Sequence, residues 1–509
     1  MKLNELLENT KMFSGGDWPQ VEISEIVTNS LKVKQSSMFV CLEGSRSDGH
    51  KYIRDALIRG AKAVVVQRGA EFEIPEFCKD ITFIYCDNTR RAAAELYNAW
   101  YGRPSDKLNI IAVTGTNGKT SVAFILKAIF EAALYKCGII GTVECLSGKR
   151  RVYANPDDEN ANMTTPDPKE LYRTLAFMVA DKVDYVFIEA SSHALKLSKL
   201  DAISFDSGIF TNLTPEHLDF HGDMDDYKKS KAKLFSMCEN SIINADDSAC
   251  EYMLSKAKSN RFTYSTKCRE SDFMATDIVI SKNTENNKSN CLGINYNLIS
   301  KNTIMKIKSP LGGAFNVDNT LCAVACAILH GIAPAVISEA LASIFGVNGR
   351  MERVKLHKNA DFSLYIDYAH TPDALQNLLR SARELVFDGG RIILVFGCGG
   401  DRDKSKRALM GQIASQNADF VIITSDNSRS EEPSQIIDGI MSGFDKACDH
   451  KVIINRREAI EYAVMNAKPG DLILLAGKGH EKYEIDKSGK HPFDEREISI
   501  EAARKRFER

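Results

Sequence analysis

The residues with the clearest chemistry lie in segment 110–121, which reads IIAVTGTNGKTS. An apolar, β-branched run leads directly into two glycines and then into Lys119 and Thr120. Glycines let the backbone curl so that its N–H groups face a phosphate, and a helix that begins there adds positive potential. Lys119 can then reach the β- and γ-phosphates, and the Thr120 hydroxyl can hold Mg²⁺. The segment predicts a loop that binds ATP or GTP, made of Gly115, Thr116, Asn117, Gly118, Lys119 and Thr120.

Further candidates lie at the ends of predicted strands downstream of this loop. The apolar run 184–189, DYVFIE, ends in Glu189, and in phosphate-loop folds an acid at such a strand end lies beside the loop and can hold Mg²⁺. The run 211–222, TNLTPEHLDFHG, places His217 among acids and suggests a second contact to a cation or phosphate. The alternatives are a glutamate that only caps the next turn and a structural histidine.

Lysines crowd segment 226–235, DYKKSKAKLF. On a helix they cannot all share one face, and Lys231 lies four residues from both Tyr227 and Phe235, on the semi-apolar side. One interpretation is a solvated charge run in which Lys231 extends its ammonium group to water. The other is a partly buried lysine with a lowered pKa, which is open to chemical modification. The residues alone favour the first interpretation.

Polar side chains also follow several predicted strands in the last third of the chain. The carboxyl ends of parallel strands meet at one edge of a sheet, so these residues are expected to form the rim of one site. Arginine is suited to clamping carboxylates in a bidentate fashion, and the rim could therefore hold an amino acid and complete a nucleotide pocket. The segments are 365–372 (YIDYAHTP), 396–404 (FGCGGDRDK), 424–429 (TSDNSR) and 476–481 (AGKGHE).

The elements that must position these residues alternate between strands and helices, which is typical of α/β folds with parallel sheets. Segment 261–311 differs, because it is polar with short alternating runs, and it predicts inserted β-hairpins or loops. Helices are predicted at 53–59, 90–101 and 319–329. Strands are predicted at 38–42, 63–67, 81–86, 137–142, 185–189, 207–210, 241–244, 363–368, 391–396, 420–424, 451–455 and 471–476.

The pattern breaks twice, near 101–105 and near 346–350, and this divides the chain into three predicted α/β domains. The first, 1–105, precedes the nucleotide-binding loop. The second, 106–346, contains that loop. The third, 347–509, carries the rim of polar strand ends.

Composition indicates an ordinary globular protein. The 509 residues are 44% hydrophobic and 26% charged, with a formal net charge of −2, which argues against a nucleic-acid partner. The 13 cysteines lack a CxxC pair and favour buried thiols in a reducing compartment over disulfides or zinc. No signal-peptide or membrane-spanning pattern is recognised. We therefore expect a cytoplasmic monomer without membrane insertion, whose partners are small-molecule substrates.

Taken together, the segments resemble the Mur ligases of peptidoglycan synthesis over nearly the whole chain. The resemblance rests on an ordered set of segments, each in the position the family expects. It implies a UDP-binding N-terminal α/β domain, a central P-loop ATPase domain with a parallel sheet and a Rossmann-like C-terminal domain that binds an amino acid. The segments are TGTNGKT (114–120), TTPDP (164–168), EASSHAL (189–195), TNLTPEHLDFHG (211–222), DYAHTPDAL (367–375) and FGCGGDRDKSKR (396–407).

The resemblance also implies an ATP-dependent amide ligation on UDP-MurNAc-L-Ala-D-Glu through an acyl phosphate. The family's carbamylated lysine falls on Lys231, which favours the buried interpretation, and its carbamate would support a second Mg²⁺. Thr120, Glu189 and His217 would hold the first Mg²⁺. Lys119, Glu189, His217 and Lys231 would serve catalysis. ATP would further contact Asn316, Arg350 and Asp367. The UDP-MurNAc-dipeptide would contact Ser30, the 44–48 loop, Thr164, Thr165, Ser191 and Lys199, which stands where many relatives have Arg.

The same resemblance points to meso-diaminopimelate as the incoming amino acid. The family's diaminopimelate segment is DNPR, whose Arg grips the distal carboxylate, and here it reads DNSR. Lysine has no second carboxylate, so a lysine-adding enzyme would have no use for this Arg, and an unpaired buried charge is costly. The amino-acid contacts by resemblance are Arg402, Asp426, Asn427, Arg429, Gly477 and Glu481.

Departures from the family pattern leave alternatives open. Ser428 replaces the proline of DNPR and loosens that loop. Asn29 and Leu31 replace the acid and the arginine that flank Ser30 in the family. The alternatives are addition of L-lysine or another diamino acid, a paralogous amide ligase with an altered acceptor, a folylpolyglutamate synthetase, and an inactive relative that serves as a scaffold.

Overall fold

The computed structural model describes residues 1–44, 47–74, 80–143, 145–152, 163–267, 270–281, 293–344, 346, 349–386 and 389–508. The N-terminal part forms a parallel sheet in which buried Val and Ile side chains fill both faces. Its longest helix begins after Asn88, whose side chain accepts a hydrogen bond from the Arg91 N–H. The strands are β1 (Ile26–Val27), β2 (Met38–Val40), β3 (Ala63–Gln67) and β4 (Thr82–Cys86), with helices α1 (Leu3–Glu8), α2 (Ile53–Ile58) and α3 (Thr89–Trp100).

The central part is built on one large sheet in the order β15-β14-β13-β12-β11-β10-β5-β9-β6-β7-β8. The run from β13 to β6 is parallel, and both flanks are antiparallel. The strands are β5 (Asn109–Thr114), β6 (Cys137–Ile140), β7 (Cys145–Ser147), β8 (Arg150–Arg151), β9 (Tyr185–Glu189), β10 (Phe205–Phe210), β11 (Cys238–Asn244), β12 (Asn260–Ser265), β13 (Phe273–Ser281), β14 (Gly293–Ser300) and β15 (Ile304–Ser309).

Helices cover both faces of this sheet, and the sheet separates the apolar core into two layers. One layer is continuous with the core of the N-terminal sheet, and the other lies under the helices that begin at Lys119 and Phe315. The helices are α4 (Lys119–Ala132), α5 (Pro168–Ala180), α6 (Ser192–Lys196), α7 (Leu218–His221), α8 (Met224–Ala232), α9 (Cys250–Lys256), α10 (Phe315–Leu329) and α11 (Pro334–Ala342).

The C-terminal part forms a third sheet in the order β16-β17-β21-β18-β19-β20, parallel except for β16. A separate hairpin, β22–β23, lies beside the carboxyl ends of its strands. The strands are β16 (Glu352–Arg353), β17 (Ser363–Asp367), β18 (Ile392–Phe396), β19 (Phe420–Ile423), β20 (His450–Val452), β21 (Leu472–Ala476), β22 (Tyr483–Asp486) and β23 (Gly489–Pro492). The helices are α12 (Pro372–Leu385), α13 (Lys406–Asn417), α14 (Pro433–Met441), α15 (Arg456–Asn466) and α16 (Glu495–Phe507).

The predicted α/β class is confirmed, and so are the hairpins of segment 261–311, which extend the central sheet as β13–β15. Helix α1 and the hairpin β22–β23 were not predicted, because short polar segments have no clear periodicity. The strand predicted at 451–455 is displaced to His450–Val452. Within the described ranges, none of the helices is both long enough and apolar enough to pass through a bilayer.

A buried ion pair fastens the strand ends of the C-terminal sheet to its outer helices. The Arg456 Nε donates to Glu495 Oε1 at 2.8 Å, and its Nη atoms donate to the carbonyls of Ala476 at 2.8 Å and Ser425 at 3.1 Å. Both side chains are almost completely buried, so each charge depends on the other for compensation. Arg456 thereby holds the loop after β19 and the last residue of β21.

We expect Arg456→Met to lower the free energy of unfolding by about 3–5 kcal/mol, because it leaves Glu495 buried and unpaired. Urea unfolding followed by circular dichroism measures this change. Arg457→Met is the matched control: Arg457 is half-exposed and pairs with Glu501 at the surface, so its loss should change stability by less than about 1 kcal/mol. Equal effects of the two substitutions would contradict the prediction.

Candidate active site

The predicted phosphate-binding loop connects β5 to α4, and neighbouring strand ends hold its backbone. Gly115 and Gly118 have φ values of +148° and +89°, a region that side chains disfavour. A Cβ at Gly115 would collide with the Thr211 hydroxyl that follows β10. Asn212 accepts the N–H groups of Thr116 and Asn117 at 2.9 and 2.8 Å. The loop is therefore fixed in its curved form before any phosphate arrives.

Glu189, at the end of β9, is the centre of a hydrogen-bond network behind this loop. Its carboxylate is fully buried and accepts the Thr120 hydroxyl at 2.9 Å and the Thr142 N–H and hydroxyl at 3.0 Å each. The Thr142 oxygen accepts a hydrogen bond from the Thr164 hydroxyl at 3.0 Å, and Thr165 Oγ1 donates to the Glu189 carbonyl at 2.7 Å. Thr165 in turn contacts Ser191 Oγ at 3.0 Å, so this network joins the predicted metal ligands to three predicted substrate contacts.

Two lysines converge on the Gly115 carbonyl. Lys119 Nζ donates to it at 2.8 Å and to the Thr116 carbonyl at 2.7 Å, while Lys231 Nζ donates to the same Gly115 oxygen at 2.8 Å. Lys231 is only 1% exposed and lies over the Tyr227 ring, with 4.4 Å between Nζ and the ring centroid. The interpretation of Lys231 as a solvated member of a charge run is therefore wrong, because the sheet edge encloses it.

The position of Lys231 has a clear electrostatic consequence. Burial, and after it the charge of Lys119, hold the pKa of Lys231 well below its usual range, although Glu216 opposes this. Burial also lowers the pKa of Lys119. A neutral amine at Lys231 is the form that can react with an electrophile such as carbon dioxide.

Glu216 and His217 face these lysines from the loop after β10. Burial raises the pKa of Glu216, but Lys119 and His217 outweigh it, so the net shift is downward and favours the carboxylate. His217 has a φ of +56°, and its half-exposed ring packs edge-on against His193 with 4.8 Å between centroids. Sequence reasoning placed acids in this loop without singling out Glu216, which lines the site beside His217.

The C-terminal part contributes directly to the nucleotide-binding loop. Arg350 Nη2 donates to the Thr120 hydroxyl at 3.4 Å. Asp373 accepts the side-chain amide of Asn117 at 2.8 Å and the Thr214 hydroxyl at 3.0 Å, a contact that sequence reasoning missed. Asp367 accepts the N–H groups of Met351 and Ala369 at 2.7 and 2.8 Å, which fixes the turn beside Arg350.

Two adjoining cavities follow from this arrangement. The larger has a volume of about 400 Å³, within the range of small-molecule sites, and lies between the nucleotide-binding loop, α10 and α12. The smaller, about 190 Å³, is lined by Lys119, Glu189, Ser191, His217 and Lys231. They share Asn117, Gly118, Thr120 and Arg350, so a nucleotide in the first would present its terminal phosphate to the second.

Asn316 lies behind the larger cavity rather than in its lining. Its side-chain oxygen Oδ1 accepts the side-chain amide of Asn319 at 3.2 Å, and Asn319 itself lines the cavity beside Gly118. Asn316 is therefore placed to orient Asn319 in this arrangement of the molecule.

The predicted amino-acid contacts cluster at the carboxyl ends of β18, β19 and β21. Asn427 donates to Glu481 at 2.7 Å, and the backbone of Gly477 passes against Asp426, where a Cβ would approach its carboxylate to 2.5 Å. Tyr368 lines the smaller cavity and is close enough to the predicted amino-acid contact Glu481 to feel its charge. Burial, followed by that charge, raises the pKa of Tyr368 to about 12.

The guanidinium of Arg429 is held in place without a carboxylate. Arg429 Nη1 donates to the carbonyls of Gly400 at 2.9 Å and Asn427 at 3.2 Å. In the part of the chain that the structure describes it forms no ion pair, although its charge lowers the pKa of Asp401 and opposes the upward pKa shift of Glu481. Arg402 lies next to the same turn, where its Nη1 donates to the Asp401 carbonyl at 3.3 Å. A fixed cation of this kind is suited to a carboxylate of a ligand.

Other predicted contacts lie away from the cavities. Ser30 opens a short turn that Asn29 caps by accepting the Leu31 N–H at 2.9 Å, and Leu31 is 71% exposed. The predicted 44–48 loop lies partly outside the described residues. Lys199 is buried and pairs with Asp167 at 2.7 Å. Neither Ser30 nor Lys199 lines either of these two cavities.

The chemistry of the candidate ligand atoms is compatible with a magnesium ion. Hydroxyl and carboxylate oxygens, as in Thr120 and Glu189, suit Mg²⁺, which is usually held by one or two carboxylates together with substrate phosphates. Among the described residues no group of three or more acids, histidines or cysteines is arranged to hold a metal without further ligands. The residues therefore fit a magnesium ion that shares its ligands with a nucleotide.

Comparisons with known proteins agree with this geometry. Family models for "Mur ligase family, catalytic domain", "Mur ligase middle domain" and "Mur ligase, glutamate ligase domain" match residues 22–101, 113–327 and 349–479. A protein of Clostridium tetani named UDP-N-acetylmuramoyl-L-alanyl-D-glutamate--2,6-diaminopimelate ligase is 41% identical, with 98% of each chain covered. A protein of Clostridioides difficile with the same name is 40% identical over 99% of this chain and 100% of its own length. A solved structure of an enzyme so named has a TM-score of 0.68 at 28% identity, covering 99% of each chain.

We expect Gly115→Ala to weaken ATP binding at least about tenfold, because the new methyl group would collide with Thr211 and force the loop out of its positive-φ form. Isothermal titration calorimetry with a non-hydrolysable ATP analogue measures the affinity. Gly331→Ala is the matched control, since Gly331 also has a positive φ but nothing within 4 Å of the added Cβ. An unchanged affinity in Gly115→Ala would contradict the prediction.

Proposed function

The chain belongs to the Mur ligase family, and from that premise we propose that it joins meso-diaminopimelate to UDP-MurNAc-L-Ala-D-Glu with hydrolysis of ATP to ADP and phosphate. The new amide bond forms at the γ-carboxylate of the D-glutamyl residue. The observation that carries the choice of amino acid is the fixed guanidinium of Arg429, which forms no ion pair within the described residues, although its charge acts on Glu481 and Asp401. Diaminopimelate would supply the missing carboxylate.

The first step is phosphoryl transfer to the γ-carboxylate. A carboxylate oxygen attacks the γ-phosphorus, the bond to the bridging oxygen of ADP breaks, and an acyl phosphate forms. Two anions must approach each other, so the positive charges of Lys119 and Arg350 at the junction of the cavities supply the electrostatic stabilisation. Thr164, Thr165 and Ser191 orient the dipeptide through the network that ends on Glu189.

Magnesium belongs to this proposal as a companion of the nucleotide. Bound by Thr120 and Glu189 together with phosphate oxygens, the ion would neutralise charge on the transferred group. Glu189 is prepared for this role because Thr142 already orients its carboxylate. His217 lines the same cavity.

The second step is attack by the amine of diaminopimelate on the acyl phosphate. A C–N bond forms, the C–O bond to phosphate breaks, phosphate leaves, and the nitrogen gives up a proton. Arg429 and Arg402 would hold the distal carboxylate, and Asp426, Asn427 and Glu481 would hold the ammonium group beside it. These residues follow strands of the C-terminal sheet, whereas the proposed dipeptide contacts Thr164, Thr165 and Ser191 belong to the central part of the chain.

Carbamylation of Lys231 completes the proposal. An ammonium group at Lys231 would lie next to that of Lys119. It donates a hydrogen bond to the Gly115 carbonyl rather than to a carboxylate. Conversion to the carbamate replaces the repulsion between the two lysines by attraction and adds an anionic oxygen ligand for the magnesium ion.

We further propose that the protein acts in the cytoplasm as a monomer, where UDP-linked precursors and ATP would meet. The domain limits 1–105, 106–346 and 347–509 remain a proposal as well. Addition of L-lysine or another diamino acid, or an altered acceptor, is the alternative outcome, and Ser428, Asn29 and Leu31 are the positions at which it would originate.

We expect phosphate release with ATP, Mg²⁺ and UDP-MurNAc-L-Ala-D-Glu to require meso-diaminopimelate and to be weak with L-lysine. Arg429→Ala should lower kcat/KM for diaminopimelate by about 30-fold or more, because the distal carboxylate loses its charged partner. The matched control is Arg457→Ala, which removes a half-exposed arginine from the same part of the fold and should leave the rate unchanged. Strong release with lysine, or with neither amino acid, would overturn the proposal.

We expect Lys231→Ala to lower kcat by about 100-fold or more, because one ligand of the proposed magnesium site is lost. Lys229→Ala on the same helix is the control, since Lys229 is exposed and pairs only with Asp225 at the surface. Carbon-13 NMR with labelled bicarbonate should show a carbamate signal in the unmodified protein and in Lys229→Ala, but not in Lys231→Ala. Full activity of Lys231→Ala would contradict the carbamate.

A further inference from the structure

Lys478 carries a completely buried ammonium group at the centre of the proposed amino-acid pocket. Its side chain is 0% exposed, yet it lies two residues after the end of β21, at the carboxyl edge of the sheet. Its Nζ donates to Asn427 Oδ1 at 2.9 Å and to the Tyr483 carbonyl at 2.9 Å. The carboxylates of Asp426 and Glu481 lie 3.6 and 4.0 Å away. A lysine side chain is almost never fully buried unless its charge is paired. The two reaction steps proposed above assign Lys478 no role.

The first consequence concerns the orientation of Asn427. Its side-chain oxygen accepts from both Lys478 Nζ and the Ile485 N–H, at 2.9 and 3.0 Å. A reversed amide would place its NH₂ group against two donors, so Lys478 enforces one orientation. In that orientation the Asn427 NH₂ group donates to Glu481 Oε2 at 2.7 Å and fixes the carboxylate of Glu481.

The second consequence concerns charge. Burial raises the pKa of Asp426, but Lys478 and Arg456 more than reverse this, so Asp426 stays ionised. Arg456 itself is paired with Glu495. Burial, together with the neighbouring charge of Asp426, nevertheless raises the pKa of Glu481, although Lys478 and Arg429 oppose this. A second cation beside Glu481 would therefore be stabilised. An ammonium group of the substrate would complete the charge balance that Lys478 begins.

The third consequence concerns the hairpin β22–β23, which borders the pocket. The bond from Lys478 to Tyr483 holds the first residue of β22, and the Arg429 N–H donates to the Ile485 carbonyl at 3.1 Å in the same strand. The hairpin and the loop that carries Arg429 are thus joined around one buried charge. Removing the charge would loosen both borders of the pocket at once.

We propose that Lys478 is a positioning residue for the incoming amino acid, acting through Asn427 to set the carboxylates of Asp426 and Glu481 for a substrate ammonium group. The inference rests on the proposed function, because it assumes that an amino acid occupies this pocket. Lys478 itself is enclosed by the protein and acts through its neighbours. It therefore determines the affinity for the amino acid and leaves the sites for ATP and the UDP-linked substrate unchanged.

The test is steady-state kinetics of Lys478→Met with each substrate varied in turn. We expect the KM for meso-diaminopimelate to rise at least about 30-fold, as for the loss of one partner of a buried charge pair, with the KM values for ATP and UDP-MurNAc-L-Ala-D-Glu changed less than about threefold. A double-mutant cycle with Asn427→Ala should be strongly non-additive, because both residues act in one network. A purely structural role would instead raise all three KM values and give additive effects.

Two further variants complete the test. Lys487→Met, which removes an exposed lysine paired with Glu432 at the tip of the same hairpin, should behave like the unmodified protein. Lys478→Gln keeps a donor for Asn427 without the charge and should have an intermediate KM for diaminopimelate. Failure of both Lys478 variants to fold, or an unchanged KM for diaminopimelate, would overturn the role of Lys478. Absence of diaminopimelate-dependent phosphate release in the unmodified protein would overturn the proposed function instead.

Discussion

The site depends on the buried carboxylate of Glu189, which must be hydrogen-bonded because it has no access to water. Thr120 from the nucleotide-binding loop and Thr142 from the end of β6 satisfy it, and Thr165 bonds to the carbonyl of the same residue. These bonds join three strand ends of one parallel sheet. The nucleotide and dipeptide regions are therefore parts of one rigid network, and a shift in either would leave a buried charge unsatisfied.

The second organising element is the pair of neighbouring lysines at the nucleotide-binding loop. Lys119 and Lys231 donate to the same Gly115 carbonyl, and the acids Glu216 and Glu189 line the same cavity. Such a cluster is unfavourable in an empty protein, because burial and mutual repulsion both disfavour two ammonium groups. Phosphate groups, a metal ion and a carbamate would each relieve the repulsion. The cluster therefore favours anions, and the proposed reaction supplies them as the phosphates of ATP and the carbamate.

At the edge of the C-terminal sheet the excess charge is negative, and the expected ligand group is a cation. At its carboxyl edge two carboxylates surround one buried ammonium group, and Arg429 presents a fixed guanidinium to the same pocket. The combination is complementary to a molecule that carries both an ammonium group and a carboxylate. Asp373 and Arg350 reach from this part of the chain to the nucleotide-binding loop, so the two half-sites face each other across the cavities.

The sequence by itself determined the α/β class, the nucleotide-binding loop and the strand ends that carry polar residues, because each depends on local periodicity and on glycines at fixed spacing. It also brought Glu189 and Lys119 to the same edge through the rule for parallel strands. Only the tertiary structure decided that Lys231 is buried, that Asn316 stands behind Asn319, and that Lys478 lies among Asp426, Asn427 and Glu481. Burial and charge compensation arise from residues far apart in the chain, and no local pattern records which of them will meet.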